Sequence, residues 1–322
     1  MRSTNLDSFK VISSSEVVNS IKEQGFYFCE NFLSDRYVDQ LLGEVDFDRI
    51  LVNHNDVGVV TAGSQKFLTH CLAKSKKAYD LVTAPQILEI CNTYFSERYQ
   101  LTNHRFCQTR GGFHMPWHTD NNLQVGSQLS GKHSMPGLLF LVYLSEQNRS
   151  PFQYIKDSHT WSQKYDHEVY LSDRWVEDNY QDDILSFDMT KGSLIICDTH
   201  GIHRAAPFAD RLHTRNILLF QVDQVGDRYV GHGEQNLIDT EFIDNPSPDV
   251  FDYLGFGIKR DYPAFPNSSV ATMPIHELLD LQKHLLPLTL KAIAKNVVKT
   301  LVPGQMMVEV KRAIWNRKQS RK

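Results

Sequence analysis

The sequence predicts a mainly β domain, a sandwich or barrel of short strands with helices around it. Three observations point there. From about Gln100 the chain breaks into short strand-like runs separated by loops, not into alternating strand and helix units. One run, Leu138 to Leu144, is continuously apolar, as in a strand covered on both faces. Helical periodicity is concentrated in the first hundred residues and in the tail from His276, where it can flank a sheet. The 322 residues are read as one domain: a mixed part over 1–100, a β core over 101–222, and a loop-rich and helical extension over 223–322.

Taken in order, Gly25 to Cys29 reads as a short buried strand. Ser34-Asp35 is an N-cap for a helix burying Tyr37, Val38, Leu41, Leu42 and Val45. Residues 50–70 are strand-like, with Gly58 and Gly63 marking a loop or hairpin. Pro85 suits the first turn of a second helix that buries Ile87, Leu88, Cys91, Tyr94 and Phe95. Leu101 to Arg110 is extended. Phe152 to Lys156 alternates before a turn at Asp157-Ser158-His159, and residues 160–190 read as a long insertion. Gly192 to Asp198 is a strand leading to His203, and Arg215 to Val222 is another.

Composition bounds the function. Hydrophobic content of 41% and charged content of 22% are those of a globular protein. A net charge of −4 gives no whole-chain attraction to nucleic acid or anionic membrane. Five cysteines, Cys29, Cys71, Cys91, Cys107 and Cys197, form no C-x-x-C pair, so reduced thiols in a cytoplasmic setting are the simpler expectation than disulfides or a Cys-based zinc site. No signal peptide is visible, and the longest apolar run is far too short to cross a bilayer.

The chemistry centres on Gly111 to Asn122. His114 and His118 have the spacing of a helical zinc pair, but Pro116 between them breaks a helix, which disfavours a zinc hydrolase. Read as extended chain, His118 and Asp120 leave from one face, which is two-thirds of a two-His-one-carboxylate iron site. Chance alone supplies roughly one His-x-Asp from 14 His and 25 Asp, and a second, His54-Asn55-Asp56, is present. The downstream order decides between them. Gly192, an apolar strand, His203, a polar loop and then Arg215 opening an apolar strand form an ordered series. His200 and His213 compete with His203 locally, and Arg211 competes with Arg215.

Here the chain resembles the phytanoyl-CoA dioxygenase-like family of iron(II)- and 2-oxoglutarate-dependent oxygenases. The resemblance rests on the His-x-Asp…His…Arg pattern at His118, Asp120, His203 and Arg215, on Phe152 to His159, and on the opening Gly25-Phe26-Tyr27…Phe32-Leu33-Ser34. It covers residues 20–222. It implies a double-stranded β-helix, a jelly-roll or cupin-like barrel with flanking helices. It also implies Fe(II) held by His118, Asp120 and His203, with 2-oxoglutarate and O2 as cosubstrates and ascorbate as reductant. Arg215 would bind the far carboxylate of 2-oxoglutarate, and Gln108 could hydrogen-bond the cosubstrate unless it is a solvent-facing strand amide. Trp117, Asn121 and Asn122 flank the ligands, Trp117 being equally suited to core packing. The implied activity is hydroxylation, or another C–H oxidation, of a small to medium organic substrate. The rival from another class is a non-catalytic ligand- or partner-binding protein on the same fold, which would show a damaged metal or Arg site.

In the tail, Lys291, Lys295 and Lys299 fall on one stripe beside an apolar face. A helix packed on the barrel with a solvated basic edge is the expectation, ahead of contact with a membrane surface or acidic partner.

Overall fold

The computed structural model describes residues 9–45, 59–62, 65–69, 71–110, 116–120, 136–145, 151–164, 170–206, 214–225, 237–244, 247–256 and 275–301, with 306 and 313. His54, Asp56, Gly58, Gly63, His114, Asn121, Asn122, Arg211, His213 and the basic residues from Lys311 onward lie outside the described residues.

Helix α1 (Ser14–Gln24) and strand β1 (Phe26–Cys29) open the chain. Helix α2 (Asp35–Glu44) starts where the Ser34 hydroxyl accepts from the Tyr37 N–H, the cap the sequence predicts. Strands β2 (Val59–Ala62) and β3 (Gln65–Thr69) pair antiparallel, as expected of a hairpin. Helices α3 (Lys76–Val82) and α4 (Pro85–Tyr94) follow, the latter with Pro85 in its first turn.

Eight strands then make the barrel: β4 (Tyr99–Arg110), β5 (Trp117–His118), β6 (Gly137–Tyr143), β7 (Phe152–Ile155), β9 (Ile184–Phe187), β10 (Leu194–Asp198), β11 (His203–Ala205) and β12 (Thr214–Gln224). The larger sheet runs β1-β10-β6-β12-β4-β3-β2. The smaller runs β8-β5-β11-β7-β9, with β8 (Tyr170–Leu171) on its edge. The chain passes back and forth between the sheets, so β10-β6-β12-β4 faces β5-β11-β7-β9. This is the double-stranded β-helix, or jelly roll, that the sequence predicts.

Alternation explains the layers. On β6 every residue is buried: Leu139, Leu141 and Tyr143 point between the sheets, where they meet Tyr154, Ile195 and Ile217. Leu138, Phe140 and Val142 point outward beneath the helices, beside Leu218 and Phe220. Phe140 and Phe220 stack with centroids 4.5 Å apart, and full burial of each such side chain is worth about 1.5–3 kcal/mol. The larger sheet is thus covered by helices from the first hundred residues and by α6 (Pro248–Leu254), through Tyr253 and Leu254.

Two expectations need correction. Residues 160–190 contain more than an insertion: helix α5 (Asp173–Tyr180) lies there with β8 and β9, both of which complete the smaller sheet. Helix α5 covers that sheet's outer face, Val176 packing with Trp117, Ile155, Leu171 and Ile202. Trp117 is therefore core packing and faces away from the inter-sheet space. The tail helix α7 (Ile275–Leu301) does not pack on the barrel: all its described side chains are exposed. Among the described residues, other helices already pack on the outer faces of both sheets.

Candidate metal centre

His118 ends β5 and His203 opens β11, and the two are directly opposed in register. His203 is also opposite Tyr154, whose side chain lies between the sheets. Residues directly opposite one another share a face, so both imidazoles point into the barrel. Their ring centroids are 4.5 Å apart, and Phe152 stacks on His203 at 5.4 Å.

His203 lies past the end of the Gly192 strand, on a strand of its own. Strand β10 stops at Asp198, whose Oδ1 accepts from both the N–H and the Nδ1–H of His200, each at 2.8 Å. That side-chain turn reverses the chain and carries it to the other sheet. Tyr94 Oη donates to Asp198 Oδ2 at 2.8 Å. Burial works to raise the Asp198 pKa, but the hydrogen bonds and charge of His200, with the Tyr94 hydroxyl, hold it below its ordinary 3.8. His200 is thereby engaged with Asp198.

Asp120 is held by its own N–H, which donates to the Thr199 carbonyl at 3.1 Å. Its carboxylate lies 3.7 Å from His118 Nε2 and 3.4 Å from His203 Nε2. The other ring nitrogens are committed: His118 Nδ1 to the Pro116 carbonyl at 2.8 Å and His203 Nδ1 to the Gly201 carbonyl at 3.1 Å. A carbonyl only accepts, so both Nδ1 atoms must donate. In the neutral rings the Nε2 lone pairs are then left facing Asp120. Gly201 fits its position closely, since an added Cβ would come within 2.1 Å of Tyr154 Oη.

One ligand atom from each of His118, Asp120 and His203 can be chosen so that all lie within 4.8 Å of one another. Both histidines are buried and Asp120 is nearly so. Two imidazole nitrogens and a carboxylate gathered this closely form a donor set that could hold a divalent first-row metal. Among the described residues this is the one such cluster.

Arg215, the second residue of β12, lies on the inner face, opposite Thr109 of β4 and two residues before Ile217, which faces Tyr143. It is only 2% exposed. Burial pushes its pKa down, while Tyr143 and Cys107 push it back up. Gln108 is not on that face. It lies opposite Asn216, on the side beneath the helices, and its Nε2 donates to Asn216 Oδ1 at 3.2 Å.

Sequence reasoning missed three residues beside Arg215: Thr109, Cys107 and Tyr143. Tyr143 sits within the recognised apolar run, but only the strand register brings it to Arg215. It also missed Arg204, which follows His203 and points out of the barrel. Its guanidinium pairs with Asp173 at 2.7 Å, donates from Nε to Gln153 at 2.7 Å and lies 4.4 Å from the Trp117 ring. Arg204 thus ties both histidine-bearing strands to α5.

Comparison with known proteins agrees with this architecture. A nogalamycin-biosynthesis structure described as the non-heme alpha ketoglutarate dependent carbocyclase SnoK superposes with a TM-score of 0.52 at 15% identity, covering 67% of this chain and 87% of that one. The epimerase SnoN, in a structure described as a complex with Fe3+, alpha ketoglutarate and nogalamycin RO, gives 0.51 at 13% identity, covering 66% and 83%. No curated protein matches the sequence. The family model described as phytanoyl-CoA dioxygenase matches residues 21–209, which span β1 through β11 and all three candidate ligands. The chain belongs to the phytanoyl-CoA dioxygenase family, and its function is of the oxygenase type.

Proposed function

We propose that the protein is an iron(II)- and 2-oxoglutarate-dependent dioxygenase that hydroxylates, or otherwise oxidises a C–H bond of, a small to medium organic substrate. His118, Asp120 and His203 hold the iron, and Arg215 binds the far carboxylate of the cosubstrate. The observation that carries this reading is the pair of imidazoles whose Nδ1–H groups are tied to backbone carbonyls, leaving both Nε2 atoms facing one carboxylate. Such outer bonds set the tautomer and orient the rings before metal arrives.

Iron with 2-oxoglutarate and dioxygen supplies the oxidising power when bound, with succinate and carbon dioxide as co-products. The chain's own residues do the rest. Arg215 presents a planar fork that matches a carboxylate in bidentate fashion. Leu139, Leu141, Phe152 and Ile217 make an apolar wall that keeps water from the inter-sheet space. Arg204, through Asp173 and Trp117, holds β5 and β11 at a fixed separation. The solved structures of this fold named above are called a carbocyclase and an epimerase, so C–H oxidation without net hydroxylation belongs within the proposal.

The partner is a small molecule rather than nucleic acid. Among the described residues no helix is long and apolar enough to cross a membrane. All five cysteines are buried and free, which supports a reducing, cytoplasmic setting. The basic tail helix is the segment suited to contact outside the barrel.

Purified protein with iron(II), ascorbate and 2-oxoglutarate, assayed for succinate across a metabolite library, tests the reading. Substrate-dependent succinate that disappears in His203→Ala supports it. Protein that binds neither iron(II) nor 2-oxoglutarate refutes it.

A further inference from the structure

Helix α7 carries an apolar stripe that no described residue covers. Leu279, Leu286, Leu290, Ile293, Val297 and Leu301 recur at spacings of three, four and seven, which lines them along one side of the helix. Their exposures run from 50% to 76%, the values of side chains standing in water. Asp280, His284, Lys291 and Lys295 lie on the other side, which also carries Leu288, while Lys283 stands at the edge of the stripe. At 1.5 Å per residue the helix is about 40 Å long. From residue 275 to the end the chain has ten Lys or Arg against three Asp or Glu, whereas the preceding 274 residues have 24 against 35. Within α7 itself four Lys stand against one Glu and one Asp, so net positive charge falls on the same stretch of chain as the open apolar surface.

We infer that α7 is a surface anchor that lies in the headgroup layer of an anionic lipid bilayer. A helix of this kind sinks its apolar side about 5–10 Å into the headgroup and acyl boundary, which brings Lys291 and Lys295 to the level of the lipid phosphates. Charge and shape select this occupant over others. Nucleic acid would meet the lysines but leave the leucine stripe wet. A second copy would bring two basic tails together, and Pro287 in mid-helix removes a main-chain bond that an uninterrupted two-helix seam needs. A fluid headgroup layer tolerates both. This inference stands apart from the chemistry of the barrel.

The test is co-sedimentation of the full-length protein with vesicles of phosphatidylcholine alone and of equal parts phosphatidylcholine and phosphatidylglycerol. The protein binds the mixed vesicles, leaves the neutral ones in solution, and is released as salt rises, an arm that needs no mutant. Lys291→Gln with Lys295→Gln weakens partitioning about 30-fold, which corresponds to about 2 kcal/mol for two lysines at an anionic surface. Leu286→Gln, Leu290→Gln and Ile293→Gln together abolish binding, while far-UV circular dichroism and 2-oxoglutarate affinity stay at wild-type values in both variants. Three results overturn the inference: no sedimentation with mixed vesicles, equal binding to neutral vesicles, or a dimer that the leucine changes dissolve in protein that ignores lipid.

Discussion

Replacing Arg215 by Ala isolates the cosubstrate anchor, and its size follows from where the residue sits. Arg215 is 2% exposed, on the inner face of β12, with Thr109 across one strand and Tyr143 close by on the other side. Solvent there does not screen a guanidinium–carboxylate pair as it does at a surface, where such pairs give only about 0–1 kcal/mol. Loss of one partner from a buried pair costs about 3–5 kcal/mol, because the other charge is left desolvated and alone. At 1.4 kcal/mol per decade, Arg215→Ala weakens 2-oxoglutarate binding by roughly two to three and a half orders of magnitude. Arg215→Lys recovers only part of this, since an ammonium keeps the charge but lacks the planar fork. Arg211→Ala changes affinity by less than about tenfold, because Arg211 precedes the apolar run instead of opening it. The assay is anaerobic titration of iron(II)-loaded protein with 2-oxoglutarate, with the unfolding midpoint of each variant measured alongside. Near-normal affinity in Arg215→Ala together with a large loss in Arg211→Ala would reverse the assignment.

Alanine at His118, Asp120 or His203 removes most of the iron(II) affinity, measured by metal titration, whereas His54→Ala and Asp56→Ala leave it unchanged; the opposite pattern would move the metal site. Asp120 supplies a carboxylate rather than freeing a position for halide, so product analysis by mass spectrometry in chloride or bromide should find no halogenated product. Arg204→Met removes the cation that pairs with Asp173 at 2.7 Å and lowers stability in urea unfolding; a loss below about 1 kcal/mol would mean the pair is not what holds α5 down. Asp198 has a lowered pKa, so its contribution to stability is present above 3.8 and disappears as pH falls through the lower folded-state value. Asp198→Asn should therefore reduce stability at neutral pH and flatten the acid limb of the stability curve below pH 3.8; an unchanged acid limb counts against the Tyr94–Asp198–His200 network.

Much of the barrel was legible because its strands carry period-two or doubly buried patterns. Leu138 to Leu144 announced a strand with two covered faces, and β6 has one core on each side of it. Ser34 and Pro85 announced helix starts for the local reasons that caps and first turns impose. The pieces in 160–190 were not legible. Strand β8 is two residues long, β9 is half exposed throughout, and α5 has eight residues, so none spans enough chain for a period to emerge. Helix α7 was legible as a helix but not as an exposed one, because exposure depends on which faces other elements have already covered.

Gln108 and Arg215 mark the boundary between what one strand can say and what needs two. Alternation along β12 groups Arg215 with Ile217, and alternation along β4 groups Gln108 with Phe106, but neither period says which group faces the metal ligands. Only the pairing of Thr109 with Arg215 and of Gln108 with Asn216 fixes that, and a slip of one residue would exchange the two faces. His203 shows the same dependence from the other direction. Its spacing from Asp120 is 83 residues of chain, yet its place beside His118 rests on the turn that Asp198 makes with His200 and on a register match in a strand of three residues. The donors come from sequence, whereas their convergence comes from long-range pairing. A one-residue shift of β11 against β5 would turn His203 outward and bring Arg204, with its charge, to the face where the third ligand now stands.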